Sequence, residues 1–272
     1  MKSYAAFNFL CLFIAGVFSC GTVWLWRTDV MSALRPASHI PGDMVVIRDQ
    51  FQTSSTIVSA LPSAPVMNTS TPLITTTTAV SVLPKEINLP VPFTSQAPEK
   101  NWDQPWQDAC EEAAILMMDG YYKGYNVSPL FAKDEIIKMV AWEEEKGWGR
   151  SIEIEKIATL FESYLRYKET GRKVRIIENP TVGQIKKYLA NKTPVYVVAD
   201  GKTLPNPHFR NGGPAYHALV IRGYTETEFI TNDPGTQFGK NFSYAYDDLM
   251  NSIRDWNGGA VKTGRRVILV IE

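Results

Sequence analysis

Cysteine is scarce in this 272-residue chain, with three in all: Cys11 and Cys20 in an apolar N-terminal run, and Cys110 alone beyond it. No disulfide framework can form in the body of the chain. Histidine is equally sparse (His39, His208 and His217), and no Cys/His cluster has the spacing of a zinc site. Neither sign of charge is in excess: 28 Lys and Arg face 28 Asp and Glu. That balance removes the electrostatic case for nucleic acid as a partner. No Gly-rich phosphate-cradling pattern occurs, and nothing in the sequence asks for a metal or an organic cofactor. What is present is globular: 44% hydrophobic and 21% charged residues predict at least one packed core.

The chain changes character along its length. Residues 1–27 hold an apolar run, about Tyr4 to Trp26, with no charge before Arg27. It is close to the ~20 residues needed to cross a bilayer, and Trp24 and Trp26 suit an interfacial belt. An uncleaved anchor is the first expectation, a lipoprotein signal at Cys20 the second, a cleaved signal the third. Residues 28–49 read as juxtamembrane, with His39 a solvated residue. Residues 50–85 are rich in Thr, Ser and Pro and nearly free of charge, as in Thr75-Thr76-Thr77-Thr78. Such a segment buries too little surface to offset chain entropy, and a disordered stalk is expected. The pattern predicts a single-pass cell-membrane protein with its domain, residues 86–272, outside the cytoplasm.

Within 86–272 the pattern predicts helices at Pro129 to Lys146 and Ser151 to Lys168, then a strand at Val174 to Ile177. A helix at Thr181 to Ala190 and a strand at Val195 to Ala199 follow. Then come a hairpin of His217–Tyr224 and Phe229–Asn232, a helix at Asp247 to Ile253, and a closing strand at Arg266 to Ile271. Helices first and strands late is an α+β order. The run Glu143-Glu144-Glu145 reads as a solvated face.

Cys110 opens a helix in the sequence Asp108-Ala109-Cys110-Glu111-Glu112-Ala113, with Asp108 placed to cap and Glu111 to complete a capping box. A thiol in a first helical turn meets the positive end of the dipole, which favours thiolate, the nucleophilic form. His217 begins an apolar strand run, and Asp233 follows the return strand. The two share a face only if the hairpin register has the right parity. His208, in the loop from Asp200 to Pro214, is the rival base; a strand end is the more rigid platform. Gln96, upstream of the Cys helix, carries an NH2 that could donate to a developing oxyanion beside the Cys110 N–H.

Four patches carry a resemblance: Pro92-Phe93-Thr94-Ser95-Gln96, Asp108 to Ala113, Tyr216-His217-Ala218-Leu219-Val220-Ile221-Arg222-Gly223-Tyr224, and Asn232-Asp233-Pro234-Gly235-Thr236. Together, and in this order, they resemble papain-like cysteine peptidases of the bacteriocin-processing group, over about residues 88 to 270. The resemblance implies a helical half bearing the thiol and an antiparallel sheet half bearing the base. It also implies Cys110 as nucleophile, His217 as base, Asp233 as orienting acid and Gln96 as oxyanion residue, acting on peptide or protein substrates. Best-known members are fused to transporters and cut after double-glycine leaders; without an ATP-binding cassette here, that substrate does not carry over. Cell-wall amidases and transpeptidases would use the same residues, and a non-catalytic peptide-binding module is the reading from another class.

Overall fold

The structure is a computed structural model and describes residues 83–272. The expected anchor at 1–27, juxtamembrane segment at 28–49 and nearly all of the stalk at 50–85 lie outside the described residues. Among the described residues, no helix is long and apolar enough to cross a membrane.

Among the described residues, five α-helices and seven strands follow one another: β1 (Ile87–Asn88), α1 (Cys110–Lys123), α2 (Pro129–Glu145), α3 (Ile154–Thr159), β2 (Val174–Glu178), α4 (Val182–Ala190), β3 (Val195–Ala199), β4 (His217–Tyr224), β5 (Glu228–Asn232), β6 (Lys240–Ala245), α5 (Tyr246–Ser252) and β7 (Val267–Ile271). All strand pairs are antiparallel, in the order β2-β7-β3-β4-β5-β6, and β1 adds to β4. The α+β architecture expected from element order is the one observed.

The central strands β3, β4 and β7 are buried along their whole length, which explains their unbroken apolar runs. Helix α1 lies on β4 and β3 and is buried from Cys110 to Gly120. A helix covered on every side needs apolar residues all round, and Ala113, Ala114, Ile115, Leu116, Met117 and Met118 supply them. Glu111 and Glu112 are buried with them. Fully burying a side chain of the Leu or Met size is worth about 1.5–3 kcal/mol, so this segment and the strands beneath it anchor the domain.

Helix α2 matches its predicted span; Ser128 accepts from the Phe131 N–H as N-cap. Its buried stripe is Ala132, Ile136, Met139 and Glu143. Glu143 therefore sits on the core side, and the expectation that Glu143 to Glu145 form a solvated face holds only for Glu144 and Glu145. The single helix expected over Ser151 to Lys168 is shorter: α3 passes into a π-turn at Leu160–Tyr164 and a 3₁₀ turn at Tyr167–Glu169. The wider turn serves packing, because Leu160, Phe161 and Tyr167 all stay buried. Strand β6 was not anticipated.

Candidate active site

Cys110 is the first residue of α1, but the cap differs from expectation. A 3₁₀ turn, Trp106–Asp108, leads into the helix, Ala109 occupies the N-cap, and no side chain caps it. Asp108 instead accepts from Gln104 Nε2 at 2.7 Å. Glu111 turns inward, where its Oε2 accepts from the Cys110 thiol at 2.8 Å and its Oε1 from the Ile152 N–H at 3.4 Å. The electrostatics follow. Burial pushes the Cys110 thiol well above its ordinary value, the Glu111 charge and hydrogen bond add to that, and the Ala218 N–H opposes it. Burial first, and Glu111 second, thus act against the helix terminus at this thiol; burial also raises the Glu111 carboxyl well above its ordinary value.

His217 opens β4 and is fully buried. Its Nε2 meets Asp233 Oδ1 at 2.7 Å, while Nδ1 is buried without a partner. The Ala218 N–H, one residue on, is near enough to favour the charged form of the Cys110 sulfur, so thiol and imidazole belong to one locality.

The hairpin parity comes from a bulge. In β4 and β5, Val220 lies opposite Asn232 and Ile221 opposite Thr231. One step further Leu219 faces Asp233, which puts His217 on the Asp233 side of the sheet. Beyond Arg222 the register shifts, with Gly223 opposite Ile230 and Tyr224 opposite Phe229. That second register, continued straight, would turn His217 to the other face. Arg222 is the extra residue. Its guanidinium donates to Asn88 Oδ1, Asn232 Oδ1 and Leu89 O. Gly223 lets β1 close in: a Cβ there would lie 2.1 Å from the Ile87 carbonyl oxygen.

Asp233 is held on all sides. The Gly235 N–H donates to Oδ1 at 2.9 Å; Tyr244 Oη (2.6 Å) and Asn206 Nδ2 (3.2 Å) donate to Oδ2. Burial alone would raise this carboxyl, but His217, Tyr244 and the Gly235 amide bring it below its ordinary value. Gly235 approaches the base closely, since a Cβ would meet His217 Cε1 at 2.8 Å. Phe209 packs edge-on against the imidazole, centroids 5.2 Å apart. Asn206 and Tyr244 escaped the sequence reading, as did the contact of Phe209 with the imidazole. Asn206 and Phe209 lie in the loop singled out there, and Phe242/Tyr244 alternation in β6 was the available signal for Tyr244.

His208, the rival base, is exposed and packs on Phe238 (4.8 Å between centroids) and Phe242. Gln96 reaches the same region by a backbone bond from its N–H to Pro234 O. Its NH2, however, donates to Trp106 O (3.0 Å) and Gln107 O (2.9 Å), and Oε1 is the unpartnered atom. Both amide hydrogens are engaged on the turn before Cys110. A cavity of 420 Å³ opens beside this cluster, lined by Gln96, Trp102, Gln107, Phe209, Arg210 and Gly235. Cys110 and His217 lie beneath its wall, 4% and 0% exposed. Among the described residues, no group of three or more His, Cys, Asp and Glu is arranged to hold a metal ion.

A thiol at a helix start, beside a strand-borne histidine clamped by an aspartate, on an α+β scaffold, defines the papain-like class. The sequence model of the Peptidase_C39 like family matches residues 88–259, and the chain belongs to that family. Among solved structures it is similar to a Bacillus anthracis protein with a provisional C39-like peptidase assignment. The identity is 15%, the match covers 70% of this chain and 98% of that one, and the TM-score is 0.46. No curated protein matches.

Proposed function

We propose that this protein is a membrane-tethered cysteine peptidase in which Cys110 is the nucleophile, His217 the base and Asp233 the group that orients it. One observation carries the reading: with Nε2 fixed on Asp233, the buried Nδ1 of His217 is left without a partner. A buried acceptor without a donor is costly, and we assign the Cys110 S–H as the donor that meets it. Rotation of the thiol from Glu111 toward Nδ1 completes the triad. Nδ1 then takes the proton, the imidazolium is stabilised by Asp233, and the thiolate adds to the peptide carbonyl carbon. The oxyanion meets the Cys110 N–H, and Gln96 if its NH2 lets go of one carbonyl. His217 returns the proton to the leaving amine, and water then hydrolyses the thioester with His217 again as base. Tyr4 to Trp26 would hold the domain at the cell membrane, on its outer side.

The binding-module reading draws on a different observation, the thiol bonded to Glu111 rather than to His217. One experiment separates them: labelling of the full chain with a peptidyl acyloxymethyl ketone. The peptidase reading expects labelling of wild type, none of Cys110→Ala, and a rate at least about tenfold lower in His217→Ala, within the usual worth of a general base. Equal rates in wild type and His217→Ala would leave the binding module standing.

A further inference from the structure

A second cavity, 570 Å³ in volume, lies between α1, α2 and the turn at Trp148–Arg150. It meets the first at Asp108, which lines both. Its apolar wall is Ile137, Val140 and Trp148; at its end sit Glu112 and Glu143. These carboxyls are 2% and 3% exposed, and Glu112 Oε2 and Glu143 Oε1 are buried with no donor. Among the described residues neither forms an ion pair. The one cation on the cavity wall, Arg150, is directed to Asp108 at 3.7 Å on the rim. Lys156, whose ammonium lies 5.6 Å from the Trp148 ring centroid, acts on Glu143 from a distance but is paired with Glu153 at 3.1 Å. Buried carboxylates are ordinarily matched by a cation in direct contact, and among the described residues none makes one here.

We propose that this cavity is a specificity subsite that receives a basic side chain of the peptide substrate, its aliphatic stem on Trp148 and Val140 and its ammonium on Glu112 and Glu143. The inference rests on the peptidase reading for the word substrate, but the cavity and its charge do not depend on Cys110 reacting. Position supports it: Asp108, in the turn that leads into Cys110, lines both cavities, so a peptide entering the first cavity has a neighbouring side chain within reach of the second. The shape is that of a long apolar stem ending in charge, as Lys and Arg side chains are.

Without a cation, burial works against charge on both carboxyls. It pushes Glu112 up to about 7, with Asp108 adding to the rise. Burial and the charges of Glu112 and Glu111 push Glu143 up to about 10, with Lys156 opposing. An arriving ammonium donates to the unpartnered oxygens and favours the charged carboxylates, whose protons pass to solvent.

Two measurements on the full chain test this. In the first, binding of blocked tripeptide amides carrying lysine, arginine or the uncharged isostere norleucine is followed by calorimetry. The lysine peptide is expected to bind at least about tenfold more tightly than norleucine, the worth of one charge-assisted contact. The preference should vanish in Glu112→Gln/Glu143→Gln. It should also vanish in Ile137→Lys, which brings an ammonium into the cavity from a position already 42% exposed and so spares the fold. No preference for either lysine or arginine over norleucine in wild type, or one that survives both variants, overturns the subsite; a preference for arginine alone supports it with the larger head group. In the second, acyloxymethyl ketones bearing the same side chains are timed against Cys110. Failure of every ketone while the calorimetric preference persists would remove the peptidase reading and leave the basic-residue pocket intact.

Discussion

At the scale of single residues, Glu111 decides what Cys110 is in this structure. A thiol at a helix start is ordinarily drawn toward thiolate, yet this one is a hydrogen-bond donor to a buried carboxylate. Both effects of Glu111 on the thiol, its charge and its acceptor oxygen, act in the raising direction. Glu111→Gln removes the charge, replaces the carboxylate with a weaker amide acceptor, and leaves the Ala218 N–H still favouring the charged sulfur, so the thiol value should fall. The midpoint of the iodoacetamide pH–rate profile should therefore move to lower pH in Glu111→Gln, and alkylation at neutral pH should quicken. An unchanged midpoint would mean that burial alone raises the thiol and that Glu111 is only a packing neighbour. Proximity of this kind was not legible in the sequence, where Glu111 looked like half of a capping box. The spacing Ala132, Ile136, Met139, Glu143 did hold a signal, since it continues a buried stripe into an acidic residue.

At the scale of elements, the spans of β3 and β4 were readable to the residue, because strands buried on both faces carry long apolar runs, Val195 to Ala199 in β3 and Ala218 to Ile221 in β4. Helix α4 was readable for another reason: Thr181 and Gln184 form a reciprocal capping box. The parity of the β4–β5 hairpin was not readable, because it turns on one extra residue, Arg222, whose need shows only when the strands are paired. Arg222→Ala and deletion of Arg222 should therefore behave differently. The substitution keeps the bulged backbone and loses guanidinium hydrogen bonds to three partners, each of the kind worth about 1.5–3 kcal/mol. It should lower the thermal midpoint yet keep ketone labelling of Cys110. The deletion straightens the ladder, turns His217 away from Asp233, and should abolish labelling even in protein that retains a cooperative transition. Labelling of the deletion variant at the wild-type rate would show that the bulge does not set the face of His217.

At the scale of the whole molecule, β1 is the N-terminal strand of the sheet among the described residues. Composition placed the boundary near residue 86, after the Thr/Ser/Pro-rich segment. The described structure adds contacts just ahead of it and at it: Tyr224 Oη donates to the Pro84 carbonyl at 2.8 Å, and β1 pairs Ile87 with Tyr224 and Asn88 with Gly223. Next along the chain, Leu89 O accepts from the Arg222 guanidinium, and the Leu89 N–H donates to Arg222 O at 2.8 Å. Residues 84 to 89 thus cover the end of β4 that carries the bulge, and through it they bear on the register of His217. Two truncations make the consequence measurable. A chain beginning at residue 83 should keep the thermal transition and the Cys110 labelling rate of the full protein. A chain beginning at residue 90 loses β1 and exposes the Arg222 donors, and should unfold at lower temperature and label more slowly. Equal behaviour of the two would separate β1 from the catalytic geometry. Loss of the transition in the longer one would move the start of the folded unit upstream of residue 83.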